Sequence, residues 1–181
     1  MKKLVFIFTI ILSVAFPKNV TAQGTIVDVA VNNKDFSTLV TALKAADLVG
    51  ALQGDGPFTV FAPTNDAFAK LDSKTLSSLL EEENQKALAN ILTYHVVSGK
   101  LAASDVVAAL EKGNGSVDLT ALNGQVINVM QKDGKIWLKD SNGNYSEIVA
   151  TDVMGSNGVI HVINTVAVSY THLTLPTSFE V

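Results

Sequence analysis

The side chains best suited to acid–base or metal chemistry near neutral pH are three histidines, His95, His161 and His172. A metal site or a general base would need a second ligand or a carboxylate at a defined spacing. No H-x-x-x-H or H-E-x-x-H pattern and no carboxylate at ligand spacing accompanies any of them. His95 lies on one helical face with Leu88, Ile91 and Leu92. His161 shares a strand face with Val159, Ile163 and Ala167. Both positions predict buried imidazoles that donate to a backbone carbonyl or a nearby side chain, a structural rather than a catalytic use.

Other chemistries find little more. No Ser or Thr sits in a G-x-S-x-G turn, and the sequence contains no Cys, which excludes thiol catalysis and Cys-based zinc sites. Gly54-Asp55-Gly56 leads into a strand pattern, not a helix, so it lacks phosphate-cradling geometry. Glu81-Glu82-Glu83 reads as a solvated helix end. No pair among the many carboxylates stands out as a glycosidase pair. No catalytic residue, cofactor or metal is therefore expected, with a secreted or periplasmic small-ligand binder or hydrolase as the alternative.

The elements that must position these residues divide into a helical half and a strand-rich half. Phe36, Leu39, Val40 and Leu43 form the stripe of an amphipathic helix. After Gly54–Pro57 comes a short strand, 58–62. Thr64 or Asn65 caps a helix, Ser73 caps the next, and a further helix spans about 84–94. Ser104 caps a last short helix ended by Gly113. Beyond Gly115 the period becomes two, punctuated by Asn123-Gly124, Asp133-Gly134, Asn142-Gly143 and Asn157-Gly158. At least the first two should join antiparallel strands. The segment 159–168, apolar on both faces, reads as a central buried strand. The expected class is α+β.

The N-terminus reads as an export signal over residues 1–22. Lys2 and Lys3 precede an apolar run from Leu4 to Phe16, Pro17 breaks it, and Val20-Thr21-Ala22 offers a cleavage pattern. The run is too short to span a bilayer, so no membrane span is expected after cleavage. The remaining chain holds ten Lys, no Arg and 17 acidic residues, a net charge of −7. An acidic chain without Arg is a poor nucleic-acid binder. The protein is expected to be secreted, extracellular or periplasmic, and nothing in the sequence fixes its oligomeric state.

Three segments, FTVFAPTNDAF (58–68), NILTYHVVSG (90–99) and NGVIHVINTV (157–166), together resemble the signature segments of the fasciclin-like (FAS1) domain family, in the same order and at matching separations. The resemblance covers residues 24–168. It implies an antiparallel β-wedge with helices packed on it, and a non-catalytic adhesion module for a cell-surface or matrix protein or glycan. In animal members, integrin adhesion involves the Tyr-His region and an Asp followed by an aliphatic residue. The corresponding positions here, Tyr94, His95, Asp152 and Val153, are the candidate partner contacts. Residues 150–154 follow the animal pattern only in part, and a strand-edge carboxylate is the structural alternative for Asp152. The chain departs from the family at Asn164, where Asp is usual, and over residues 169–181, an atypical tail that is disordered or foreign to the domain.

Overall fold

A computed structural model gives the fold and describes residues 24–167; the export signal and the atypical tail lie outside them. The first helix, α1 (Ile26–Asn32), begins with a capping box. Thr25 Oγ1 accepts the Asp28 N–H at 3.3 Å, and Asp28 Oδ2 accepts the Thr25 N–H at 2.8 Å. A 3₁₀ turn (Lys34–Phe36) then leads into α2 (Ser37–Ala45), which buries Leu39, Ala42 and Leu43, followed by the short α3 (Val49–Leu52). Strand β1 (Phe58–Pro63) precedes α4 (Asn65–Ala69), where Thr64 is the N-cap and accepts the Ala67 N–H at 3.3 Å.

Two caps differ from expectation. Helix α5 (Ser73–Leu79) starts at Ser73 with Asp72 as the cap residue. Helix α7 (Ala103–Lys112) has Ala102 at the cap, so Ser104 lies inside it. Its free N–H groups are met elsewhere: Asp105 Oδ2 accepts from Ala102 at 3.0 Å, and Asp152 Oδ1 accepts from Ala103 at 2.8 Å. Between these helices lie α6 (Gln85–Tyr94), with Leu88, Ile91, Leu92 and Tyr94 buried, and β2 (Val96–Ser98). Gly113 ends α7, as the sequence predicts.

The remaining strands are β3 (Ser116–Thr120), β4 (Val126–Lys132), β5 (Lys135–Lys139), β6 (Tyr145–Gly155) and β7 (Gly158–Ile163). Their order in one seven-stranded sheet is β2-β1-β7-β6-β5-β4-β3. A bridge between Val97 and Ala121 brings the two edges together, so the sheet curls almost into a barrel. All pairings are antiparallel except β1–β7, which is parallel with Phe58 opposite Gly158. The sheet is therefore mixed rather than purely antiparallel. A parallel pair needs a long crossover, and the helices and the whole β2–β6 segment supply it.

Strand β7 is buried at every position, as its two-sided apolar pattern requires. Val60, Ala62, Ile160 and Val162 face a core shared with the helices. Phe61 and Ile163 face a second core inside the curled sheet, with Tyr94, Leu110, Ile127, Val129 and Leu138. Strand β6 bends to serve both. Its register shifts between Ile148 and Ala150 and again between Ala150 and Val153, and Asp152 adopts φ 59°.

Candidate functional site

The three signature segments meet around residues 99–103, which link β2 to α7. Thr59 is the lone polar side chain within the buried run of β1. Its hydroxyl donates to the Gly99 carbonyl at 2.7 Å and accepts the Leu101 N–H at 2.9 Å. His161, opposite Phe61 in the β1–β7 ladder, donates from Nε2 to the Leu101 carbonyl at 2.8 Å. Its Nδ1 accepts the Asp152 N–H at 3.4 Å. The Asp152 carboxylate in turn accepts from Ala103. Side chains from β1 and β7 thus satisfy both backbone groups of Leu101, and β6 holds the start of α7. These are the pairings a buried histidine needs, and they fix the His161 tautomer with its proton on Nε2.

His95 forms a second tie. Nδ1 donates to the Ile91 carbonyl at 2.8 Å, and Nε2 accepts the Ala167 N–H at 3.0 Å. Both ring nitrogens are used by the neutral form. Burial pushes its pKa below the ordinary histidine value, against the opposing pull of the Ile91 carbonyl and the Asp140 charge. The Tyr94 ring stands edge-on to His95 with centroids 6.2 Å apart, and its hydroxyl donates to the Val126 carbonyl at 3.2 Å. Burial raises the Tyr94 pKa; hydrogen bonding to Ser141 lowers it, and the charge of Asp140 adds to the rise.

The four candidate contact residues fall into different environments. Tyr94 has 0% of its surface exposed and His95 3%, so neither presents a contact surface in this conformation. Val153 is half-buried and packs against the helical core. Asp152 is exposed on the β6 bulge, with one carboxylate oxygen engaged at Ala103. The structure brings Asp152 to His161 but not to Tyr94 or His95. Sequence reasoning missed Thr59 and Leu101 as parts of this arrangement; a lone Thr inside an apolar strand was the available signal.

With both nitrogens of each imidazole engaged, neither ring offers a free lone pair for a base or a ligand. Among the described residues no group of three or more His, Cys, Asp or Glu could hold a metal ion, and no helix is long and apolar enough to cross a membrane. The cavity beside His95, between α2, α4, α5 and α6, measures about 20 Å³ and has an apolar lining.

The sequence matches the profile of the Fasciclin domain over residues 34–169. It is 50% identical over 142 residues to protein sll1483 of Synechocystis, covering 78% of this chain and 72% of that one. It is 33% identical over 150 residues to the cell surface glycolipoprotein MPB83 of Mycobacterium bovis, covering 80% of this chain and 60% of the relative. Among solved structures it is similar to a FAS1 domain pair from the insect cell adhesion molecule Fasciclin I, with a TM-score of 0.71 at 20% identity. That match covers 81% of this chain and 51% of the solved one. The matched profile, the shared fold and the three signature segments at the centre of the structure agree: this chain belongs to the fasciclin-domain family.

Proposed function

We propose that the protein is a non-catalytic adhesion module, acting outside the cytoplasm and binding a cell-surface or matrix partner through its surface. The observation that carries this reading is the use made of the signature residues. Thr59, His95 and His161 are spent on backbone ties within the fold, which leaves the exterior as the place for function. The relative MPB83, named as a cell surface glycolipoprotein, supports the location. The alternative of a small-ligand binder or hydrolase draws no support from the small apolar cavity beside His95.

Within this reading Asp152 is the residue that meets the partner, Val153 supports it from the core side, and Tyr94 and His95 hold the sheet beneath. Asp152→Asn tests the assignment. An Asn tolerates the positive φ and can still accept from Ala103, so the substitution removes charge and little else. Retention of the purified protein on a cell-surface extract should be saturable and weaker for Asp152→Asn at unchanged melting temperature. A wild-type protein that binds no surface or extract refutes the reading.

A further inference from the structure

The outer face of the β3–β6 meander gathers apolar side chains that the domain leaves in solvent. Residues directly opposite one another in antiparallel strands share a face, so the ladder sets Asp118, Asn128, Lys139 and Tyr145 in one row across four strands. The next row holds Ser116, Met130, Trp137 and Glu147. Ile127, Val129 and Leu138 alternate with these and point into the curled sheet. Five large apolar side chains are exposed among the described residues, and three of them, Val126, Tyr145 and Val149, lie on this outer face at 49%, 49% and 53%. Trp137 sits half-buried near its centre.

The charge of this face is close to balanced. Lys132, Lys135 and Lys139 stand against Asp118 and Glu147, with Asp133 in the hairpin turn and Asp140 in the groove beside Lys139. The chain beyond residue 22 carries a net charge of −7, so two copies repel through most of their surface but not through this part of it. Two arrangements bring identical sheet faces together about a two-fold axis lying between them. An axis along the strands lays β4 on the partner's β5 and sets Lys132 against the partner's Lys135, a like-charge contact. An axis across the strands, passing between the two rows, lays each strand on its own copy reversed. Lys139 then meets the partner's Trp137, and Tyr145 meets the partner's Glu147. Lys132 falls on the partner's Val126, at the groove that Asp140 also lines. This second arrangement pairs every lysine it moves with a ring or an acidic neighbourhood.

We propose that this face joins two copies of the chain into a homodimer about the axis across the strands. The mixed charge is the reason for choosing a second copy as the occupant: a partner of either strong sign meets repulsion here as well as attraction, whereas the face is complementary to itself once reversed. Its size sets the strength. Four strands about 4.8 Å apart, with rows about 7 Å apart, give a contact of a few hundred Å² per copy, below the roughly 800 Å² per partner of a standard interface. The dimer is therefore weak and reversible, with a Kd of roughly 10–500 μM. The inference goes beyond the adhesion reading, whose contact residue Asp152 lies on the β6 bulge, outside both rows.

The test is sedimentation equilibrium of the purified protein from about 5 μM to 1 mM, a range that brackets the expected Kd. The weight-average mass should rise toward twice that of the monomer. Trp137 is the only tryptophan in the chain, so its fluorescence reports on this face alone. Its emission should move to shorter wavelength, and acrylamide should quench it less, as concentration rises. Lys139→Glu and Tyr145→Lys should each raise the Kd by about tenfold or more at unchanged melting temperature. Val31→Lys, at an exposed apolar residue of α1 away from the meander, should leave association intact. A mass that stays monomeric to 1 mM overturns the proposal. So does a dimer whose Trp137 emission and quenching do not change, or one that Val31→Lys disrupts as strongly as Tyr145→Lys.

Discussion

The imidazole of His161 accepts the backbone N–H of Asp152 at 3.4 Å across the bulge of β6, while its other nitrogen holds Leu101. One buried ring thus joins the centre of the sheet, its bent strand and the segment leading into α7. Replacing it with Ala should cost about 2–4 kcal/mol, from the cavity and from the unpaired groups left behind. Urea unfolding measures the loss. A cost below about 1 kcal/mol, within the range of ordinary surface substitutions, contradicts this role.

Asp152 should show a different pattern. Ala at this position loses the acceptor for Ala103 and must hold φ near 59°. A cost of about 1–3 kcal/mol is expected for Asp152→Ala. Asp152→Asn should cost clearly less, because it keeps both properties. Equal unfolding free energies for the two variants would remove the capping role from this side chain.

His95 makes stability depend on pH. In the unfolded chain an imidazole titrates near its ordinary value of about 6.5, while burial holds the folded value lower. Below that ordinary value the unfolded chain takes up a proton that the folded chain refuses. The stability contributed by neutral His95 is therefore complete above about pH 6.5 and is lost as pH falls toward the folded value. Protonating Nε2 would also break its bond to the Ala167 N–H. Melting temperatures from pH 8 to 5 should fall more steeply for wild type than for His95→Gln. Parallel curves would rule this out.

Much of this was legible in the sequence because the signals were local. The apolar spacing of Leu88, Ile91 and Leu92 gave a helix face, and Asp133-Gly134 gave a hairpin whose two turn residues both adopt positive φ. Helix α1 escaped notice since its β-branched run, Ile26, Val27, Val29 and Val31, favours a strand; packing of Ile26, Val27 and Ala30 decides otherwise. Strand β2, three residues long, carries too little pattern to read. The cap on α7 was misplaced at Ser104 for a deeper reason. Asp152 serves it from 49 residues away, and no window along the chain contains both. For the same reason the helical spacing predicts a buried His95 but does not show that the curled sheet encloses Tyr94.

Asn157 is a further case of long-range service. Its Oδ1 accepts the Ile26 N–H at 2.9 Å, and its amide donates to the carbonyls of Leu52 and Gly54 at 2.9 and 2.7 Å. Asn157→Asp would point a carboxylate at two carbonyls while preserving shape. It should destabilise by about 2–4 kcal/mol and by more than Asn157→Ala, since it adds repulsion to the lost bonds. Thermal denaturation of the two variants settles the order, and a milder effect for Asp than for Ala would exclude the clamp.

The parallel pairing of β1 with β7 has a temporal consequence. Phe58 finds its partner in Gly158, one hundred residues later. A chain made from its N-terminus cannot complete the middle of this sheet until β7 has emerged, and until then β1 and β6 lack the strand that lies between them. Helices α1 to α6 must meanwhile wait with their apolar faces uncovered, so the domain assembles late and as a whole. A fragment ending before residue 158 is thus a half-built arch without its keystone, not a smaller version of the same protein.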